Sequence, residues 1–171
     1  MNDKWIMTDP KFDSDLINPQ LKFAYWEGHR DFVYDLINFV KPGMIAELGS
    51  QYGCSLFTFC QSVKDNGLNT KIRAVDMWRG DIGAPDTGEE VFALVNKIKD
   101  TYYSDLDIKL YQMTFDEALP DFADGSIDIL HSFANLSKTL INQRFYFYLF
   151  YCLAFFFKKR IQQRIQRFVV S

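Results

Sequence analysis

Between residues 26 and 40 apolar side chains recur at Phe32, Val33, Leu36, Ile37 and Val40, one stripe at helical period, and predict a helix from Trp26 to Val40. Lys41-Pro42-Gly43 stops it, because proline disfavours a helical residue before it and glycine permits a sharp turn. Met44-Ile-Ala-Glu-Leu48 then reads as a short buried strand running into Gly49-Ser-Gln-Tyr-Gly53. A second helix places Leu56, Phe57, Cys60 and Val63 on one face and leaves through Asn66-Gly67; Lys71 to Asp76 is a second strand. Thr87 and Glu90 have capping-box spacing ahead of a helix whose apolar face is Val91, Leu94, Val95 and Ile98. Asp107 to Met113 is a third strand. Thr114 and Glu117 repeat the capping box before a short helix closed by Pro120, and after the Asp124-Gly125 turn Ser126 to His131 forms a fourth strand. Strands separated by helices imply right-handed crossovers and a mostly parallel sheet, an α/β layered fold.

After residue 131 this pattern stops. Residues 1–131 carry all 22 acidic side chains and 12 of the 19 basic ones, a net of −10, whereas residues 132–171 carry 7 basic residues and no acid. All 9 glycines and all 5 prolines also precede residue 132, while 8 of the 17 phenylalanines follow it, most of them between Phe145 and Phe157. The chain therefore divides into an N-terminal extension (1–25), a main domain (26–131) and a Phe-rich basic tail (132–171). The overall charge of −3 argues against a nucleic-acid binder. Three scattered cysteines suit a reducing compartment, and the first ten residues lack a signal-peptide core, so a cytoplasmic location is expected.

In a sheet of this kind ligands bind outside the carboxyl ends of the strands, where strand order reverses. The first strand ends in a turn whose Gly49 and Gly53 let the backbone approach a ligand closely. The second ends in Asp76, a carboxylate placed to accept hydrogen bonds from two ribose hydroxyls. The fourth ends in Asp128-Ile-Leu-His131, expected to face the same crevice. Turn and terminal acid together point to a ligand containing a nucleoside. Cys54 and Cys60 sit six apart on one helix, outside zinc spacing, and no metal site is expected. His29 reads as a helix-start residue.

Several stretches resemble the class I S-adenosylmethionine-dependent methyltransferases, in particular the bacterial group found with glycosyltransferases in surface-polysaccharide loci. They are Trp26-Glu-Gly-His29, Ile45-Ala-Glu-Leu-Gly49, Tyr52-Gly-Cys-Ser55, Ala74-Val-Asp-Met-Trp-Arg-Gly-Asp81, Gly88-Glu-Glu-Val91, Thr114-Phe-Asp-Glu-Ala118 and Asp124-Gly-Ser-Ile-Asp-Ile-Leu-His131. The resemblance implies a Rossmann-like sheet with S-adenosylmethionine as cofactor and a small-molecule or glycan acceptor, methylated on oxygen. It places Glu47, Gly49 and Gly53 by the methionine moiety, Asp76 on the ribose, Met77 and Trp78 around the adenine, and Phe115 and Asp116 at the adenine edge. Asp128 and His131 fall near the methyl group, with His131 the candidate catalytic base.

Members of that group continue after the leucine-histidine pair with isoleucine, aspartate, glycine and a second histidine. Here Ser132-Phe-Ala-Asn135 follows instead, so the sheet is expected to be incomplete after its fourth strand and turnover to be impaired or absent. The leading reading of the tail is out-of-frame translation of AT-rich DNA. Its rival is a genuine helical apolar and basic segment touching a membrane surface through residues 145–167, which makes the chain a non-catalytic nucleotide-binding or membrane-associated protein.

Overall fold

The computed structural model describes residues 5–79 and 88–132, and the backbone of Phe156 and Phe157. The expected Thr87 cap, Cys152 and all but those two residues of the 133–171 tail lie outside the described residues. The elements are α1 (Arg30–Val40), β1 (Met44–Leu48), α2 (Cys54–Asp65), β2 (Lys71–Asp76), α3 (Gly88–Tyr102), β3 (Ile108–Gln112), α4 (Phe115–Ala118), β4 (Ile129–Ser132) and β5 (Phe156–Phe157). The sheet order is β3-β2-β1-β4-β5, with β1 to β4 parallel and β5 antiparallel on β4. This is the Rossmann-like arrangement expected from the alternation of strands and helices. Strand order turns back beside β1, so the crevice opens at the carboxyl ends of β1 and its neighbours.

Alternation along each strand divides the core in two. Ile45, Ile72, Ala74 and Ile129 join α1, α2 and α3 in the larger cluster, and Ala46, Leu48, Val75, Tyr111 and Leu130 pack with Ala118 of α4 on the other face. Glu47 and His131 belong to the first face by the same alternation, which sinks two polar side chains into the larger core. Thr114 and Glu117 form both bonds of the expected capping box.

Three features depart from the pattern read along the chain. Residues Glu27–His29 form a 3-10 turn, so the first α-helix begins only at Arg30, and Phe32 of the expected apolar stripe stays 54% exposed beneath the stacked ring of Trp5. The fourth strand starts at Ile129 instead of Ser126. Asp128 Oδ2 accepts bonds from the backbone N–H groups of Gly43 and Met44 at 2.9 and 3.1 Å, which ties it to the start of β1. Finally, α2 is buried on every side from Cys54 to Val63.

The burial of α2 follows from the extension, which docks on the domain. Arg30 grips Asp15 with two parallel bonds of 3.0 and 2.9 Å, and its guanidinium lies 3.7 Å from the centre of the Phe12 ring. Gln61 accepts from the N–H of Asp13, and Leu21 and Trp26 are buried in the core. The polar residues that give α2 an apparent outer face are spent on holding this segment and α1: Ser62 donates to Tyr34 O at 2.7 Å, and Thr58 accepts from Arg30 Nε. Among the described residues no helix is long and apolar enough to cross a membrane.

Candidate functional site

The turn after β1 is built by three residues with positive φ: Gly49 (87°), Gln51 (45°) and Gly53 (82°). Glycine is required at 53, since a Cβ there meets the Phe57 ring at 2.6 Å. Asp76 at the end of β2 closes the turn from the side. Its Oδ2 accepts from the N–H groups of Ser50 and Gln51 at 2.8 and 2.9 Å, and its Oδ1 from Trp78 N–H at 2.8 Å. Trp78 adds a bond from Nε1 to Gln51 O. The loop and the two strand ends thus form one hydrogen-bonded unit.

Beneath the loop Glu47 is fully buried and takes three side-chain donors: Ser50 Oγ on Oε2 at 2.5 Å, and Ser55 Oγ and His131 Nδ1 on Oε1, the latter at 3.0 Å. His131 is also fully buried, with Trp26 and Phe59 packed edge-on at 5.2 and 5.6 Å between ring centres. His131, the expected catalytic base, is thus enclosed by these rings, lines neither cleft described below, and turns its Nδ1 to Glu47.

Two clefts flank the loop along the carboxyl edge of the sheet. The first, about 430 Å³, lies between Gly49-Ser50-Gln51-Tyr52 with Ser55 and a wall from the docked extension that includes Asn18, Phe23, Tyr25 and Trp26. Phe23 (80%), Tyr25 (101%) and Tyr52 (49%) are strongly exposed at its rim. Asn18 Nδ2 and Trp26 Nε1, both buried, have no hydrogen-bond partner among the described residues. The second cleft, about 420 Å³, is lined by Met77, Arg79, Glu89, Gln112, Met113, Thr114 and Glu117 at the ends of β2 and β3.

Gly49 therefore lies in the first cleft, Met77 in the second, and Asp76 at the loop near both strand ends. Glu47 stands behind the loop, and Gly53 opens α2. The other expected site residues lie elsewhere. Trp78 is 3% exposed and packs on Phe92 at 4.8 Å within the main core, lining neither cleft. Phe115 packs against the smaller cluster on the opposite sheet face, and Asp116 is exposed on α4. Asp128 sits at the amino edge of the sheet, the far end from the crevice, because the strand begins after it. Ser50, Ser55 and the wall from Asn18 to Tyr25 were not singled out as site residues from the sequence, and Trp26 was read there as a helix start. The serines look like ordinary turn and helix-start residues, and the wall belongs to a segment without strand or helix periodicity.

A family model described as a methyltransferase domain matches residues 46–145, more than half of the chain and the whole of the loop, β2 and β3. The chain belongs to this methyltransferase domain family. Over 106 residues, 62% of this chain, it is 41% identical to the uncharacterized protein y4gI of Sinorhizobium fredii. The matched part is 11% of that relative, so the chain spans about a tenth of its length. Among solved structures, the methyltransferase domain resembles the SAH-bound methyltransferase PaMTH1 of Podospora anserina, with a TM-score of 0.50 and 15% identity over 75% of this chain and 53% of that one. At that identity the likeness is one of fold.

The two described cysteines of the domain, Cys54 and Cys60, are buried. Burial pushes the Cys54 thiol up to about 11 and the Cys60 thiol well above its ordinary value.

Proposed function

We propose that this methyltransferase domain binds S-adenosylmethionine along the carboxyl edge of its sheet. The observation that carries the reading is the Gly49–Gly53 turn locked onto Asp76 between two clefts, with family membership beside it. The residues present fit the cofactor. Ser50, Ser55, Asn18 and Trp26 offer polar atoms to an amino-acid end in the first cleft, and the two unpartnered donors there leave a cost of about 1–3 kcal/mol each that a ligand oxygen relieves. Asp76 keeps one lone pair, on Oδ1, for a ribose hydroxyl beyond the three it uses, and Met77 with Met113 offers apolar surface to a base in the second cleft. When bound, S-adenosylmethionine supplies an electrophilic methyl group on its sulfonium. The chain's residues hold, orient and shield that group from water.

The acceptor we assign is a hydroxyl of a sugar or polysaccharide precursor. The exposed faces of Phe23, Tyr25 and Tyr52 at the rim support it, since aromatic faces suit the apolar side of a sugar ring. Turnover by this chain is expected to be low. The described lining of the first cleft holds no His, Asp, Glu or Lys, and His131 is enclosed behind Glu47. Such a domain binds nucleotide without completing transfer.

Calorimetry tests the reading. S-adenosylhomocysteine should bind, and an Asp76→Ala chain should bind it at least about tenfold more weakly. No binding to the unaltered chain overturns the assignment, and methyl transfer at an ordinary enzymatic rate overturns the low-turnover part.

A further inference from the structure

The bonds around Glu47 fix more than the position of a loop. With Glu47 as a carboxylate, which has no hydrogen to give, the hydrogens in all three of its side-chain bonds come from Ser50, Ser55 and His131. A serine hydroxyl has one hydrogen. Ser50 and Ser55 each spend it inward on Glu47, and both residues line the first cleft. What they can turn to the cleft is lone pairs. A ligand group that donates, such as the ammonium of an amino-acid end, matches these two hydroxyls, while the carboxylate of the same end is left to the donors of Asn18 and Trp26.

His131 decides that arrangement. It occupies the position paired with Glu47 in the β1–β4 register, and its Nδ1 shares Oε1 with Ser55 while Ser50 takes Oε2. Trp26 and Phe59 hold the imidazole edge-on, so the carboxylate plane is pinned from one side by a ring that is itself held in place. We propose that His131 is a positioning residue which, through Glu47, keeps Ser50 and Ser55 as hydrogen-bond acceptors toward the first cleft and makes that cleft selective for an ammonium-bearing ligand end. The inference rests on the reading of this cleft as the site of the cofactor's amino-acid end.

The test uses calorimetry on the whole chain with two probes, S-adenosylhomocysteine and 5′-methylthioadenosine, which lacks the amino-acid end. The unaltered chain should bind the first more tightly. His131→Leu, which fills the space without a donor, should lose about tenfold for S-adenosylhomocysteine and leave 5′-methylthioadenosine unchanged. His131→Asn, whose amide N–H can take the place of Nδ1–H, should recover most of that loss. A Leu variant that weakens both probes alike, or neither, overturns the inference. If His131→Leu fails to fold, Ser55→Ala carries the same comparison: a loss confined to S-adenosylhomocysteine is expected, and an equal loss or none overturns it. An unaltered chain that binds both probes equally sinks this inference alone. Binding of neither sinks the cofactor reading and this inference with it.

Discussion

Glu47 and His131 face one another across the β1–β4 register, joined by a bond of 3.0 Å from His131 Nδ1 to Glu47 Oε1, and neither side chain is exposed. Two polar groups at the core face of adjacent central strands are costly to bury unless they satisfy each other. Here the pair is extended by Ser50 and Ser55 to the floor of the first cleft, so the same bonds that make the burial tolerable also shape the site.

The loop depends on Gly53 for both its backbone angle and its clearance. Gly53→Ala puts a side chain at φ 82° and a Cβ 2.6 Å from the Phe57 ring. The expected cost is about 1–3 kcal/mol in urea denaturation, with weaker binding of S-adenosylhomocysteine. Adding Phe57→Leu should return part of the stability, because it relieves the contact and leaves the backbone strain. No recovery in the double variant contradicts the steric account.

A buried ion pair is one of the anchors of the docked extension. The side chains of Arg30 and Asp15 are 4% and 9% exposed, so removing one partner leaves the other charged and enclosed. Arg30→Met should destabilise the chain by about 3–5 kcal/mol and speed proteolytic cleavage within residues 5–29. Because Asn18 and Trp26 belong to the same segment, loss of ligand affinity should accompany it. Limited proteolysis with mass spectrometry reads the first effect and calorimetry the second.

The first turn of α4 should loosen in acid. Hydrogen bonds from the Thr114 side chain and backbone hold the Glu117 carboxyl below its ordinary value of 4.5. Its contribution is therefore complete above that value and fades as pH falls through the lower folded one. Amide NMR shifts of Thr114 and Glu117 should titrate together below pH 4.5, and Thr114→Val should move the Glu117 midpoint upward. An unchanged midpoint would show that the capping box does not set it.

Cys54 gives a handle on the first cleft, which it helps to line with 8% exposure. Its thiol, raised to about 11 by burial, is almost wholly protonated at pH 8 and should react slowly with a thiol reagent in the native chain. In a Cys152→Ser background, reaction should speed sharply in denaturant, and S-adenosylhomocysteine should slow it further under native conditions. Fast native reaction, indifferent to the ligand, contradicts both the burial and the location of the cleft.

Patterns local along the chain account for most of the secondary structure. Met44–Leu48 and Lys71–Asp76 were legible to the residue because Pro, Gly and Asn turns bound short apolar runs, and the Thr114–Glu117 cap because its spacing is local. Parallel order followed from the helices between strands, and the turn at Gly49–Gly53 with Asp76 marked the candidate site, because those features are set by neighbours along the chain. What each polar group faces depends on contacts made in the folded domain. Asp128, expected at the crevice as part of the strand end Asp128-Ile-Leu-His131, is fixed at the opposite edge by its bonds to Gly43 and Met44. Trp78 went to the core, where Phe92 and the Gln51 carbonyl receive it. His131 became a partner of Glu47 because the register of two strands 84 positions apart puts them side by side. The extension became a wall of the cleft because Arg30 and Gln61 bind it from another part of the chain. Periodicity records which side of an element is apolar, whereas a buried hydrogen bond is chosen by groups distant in sequence, and only folding brings those together.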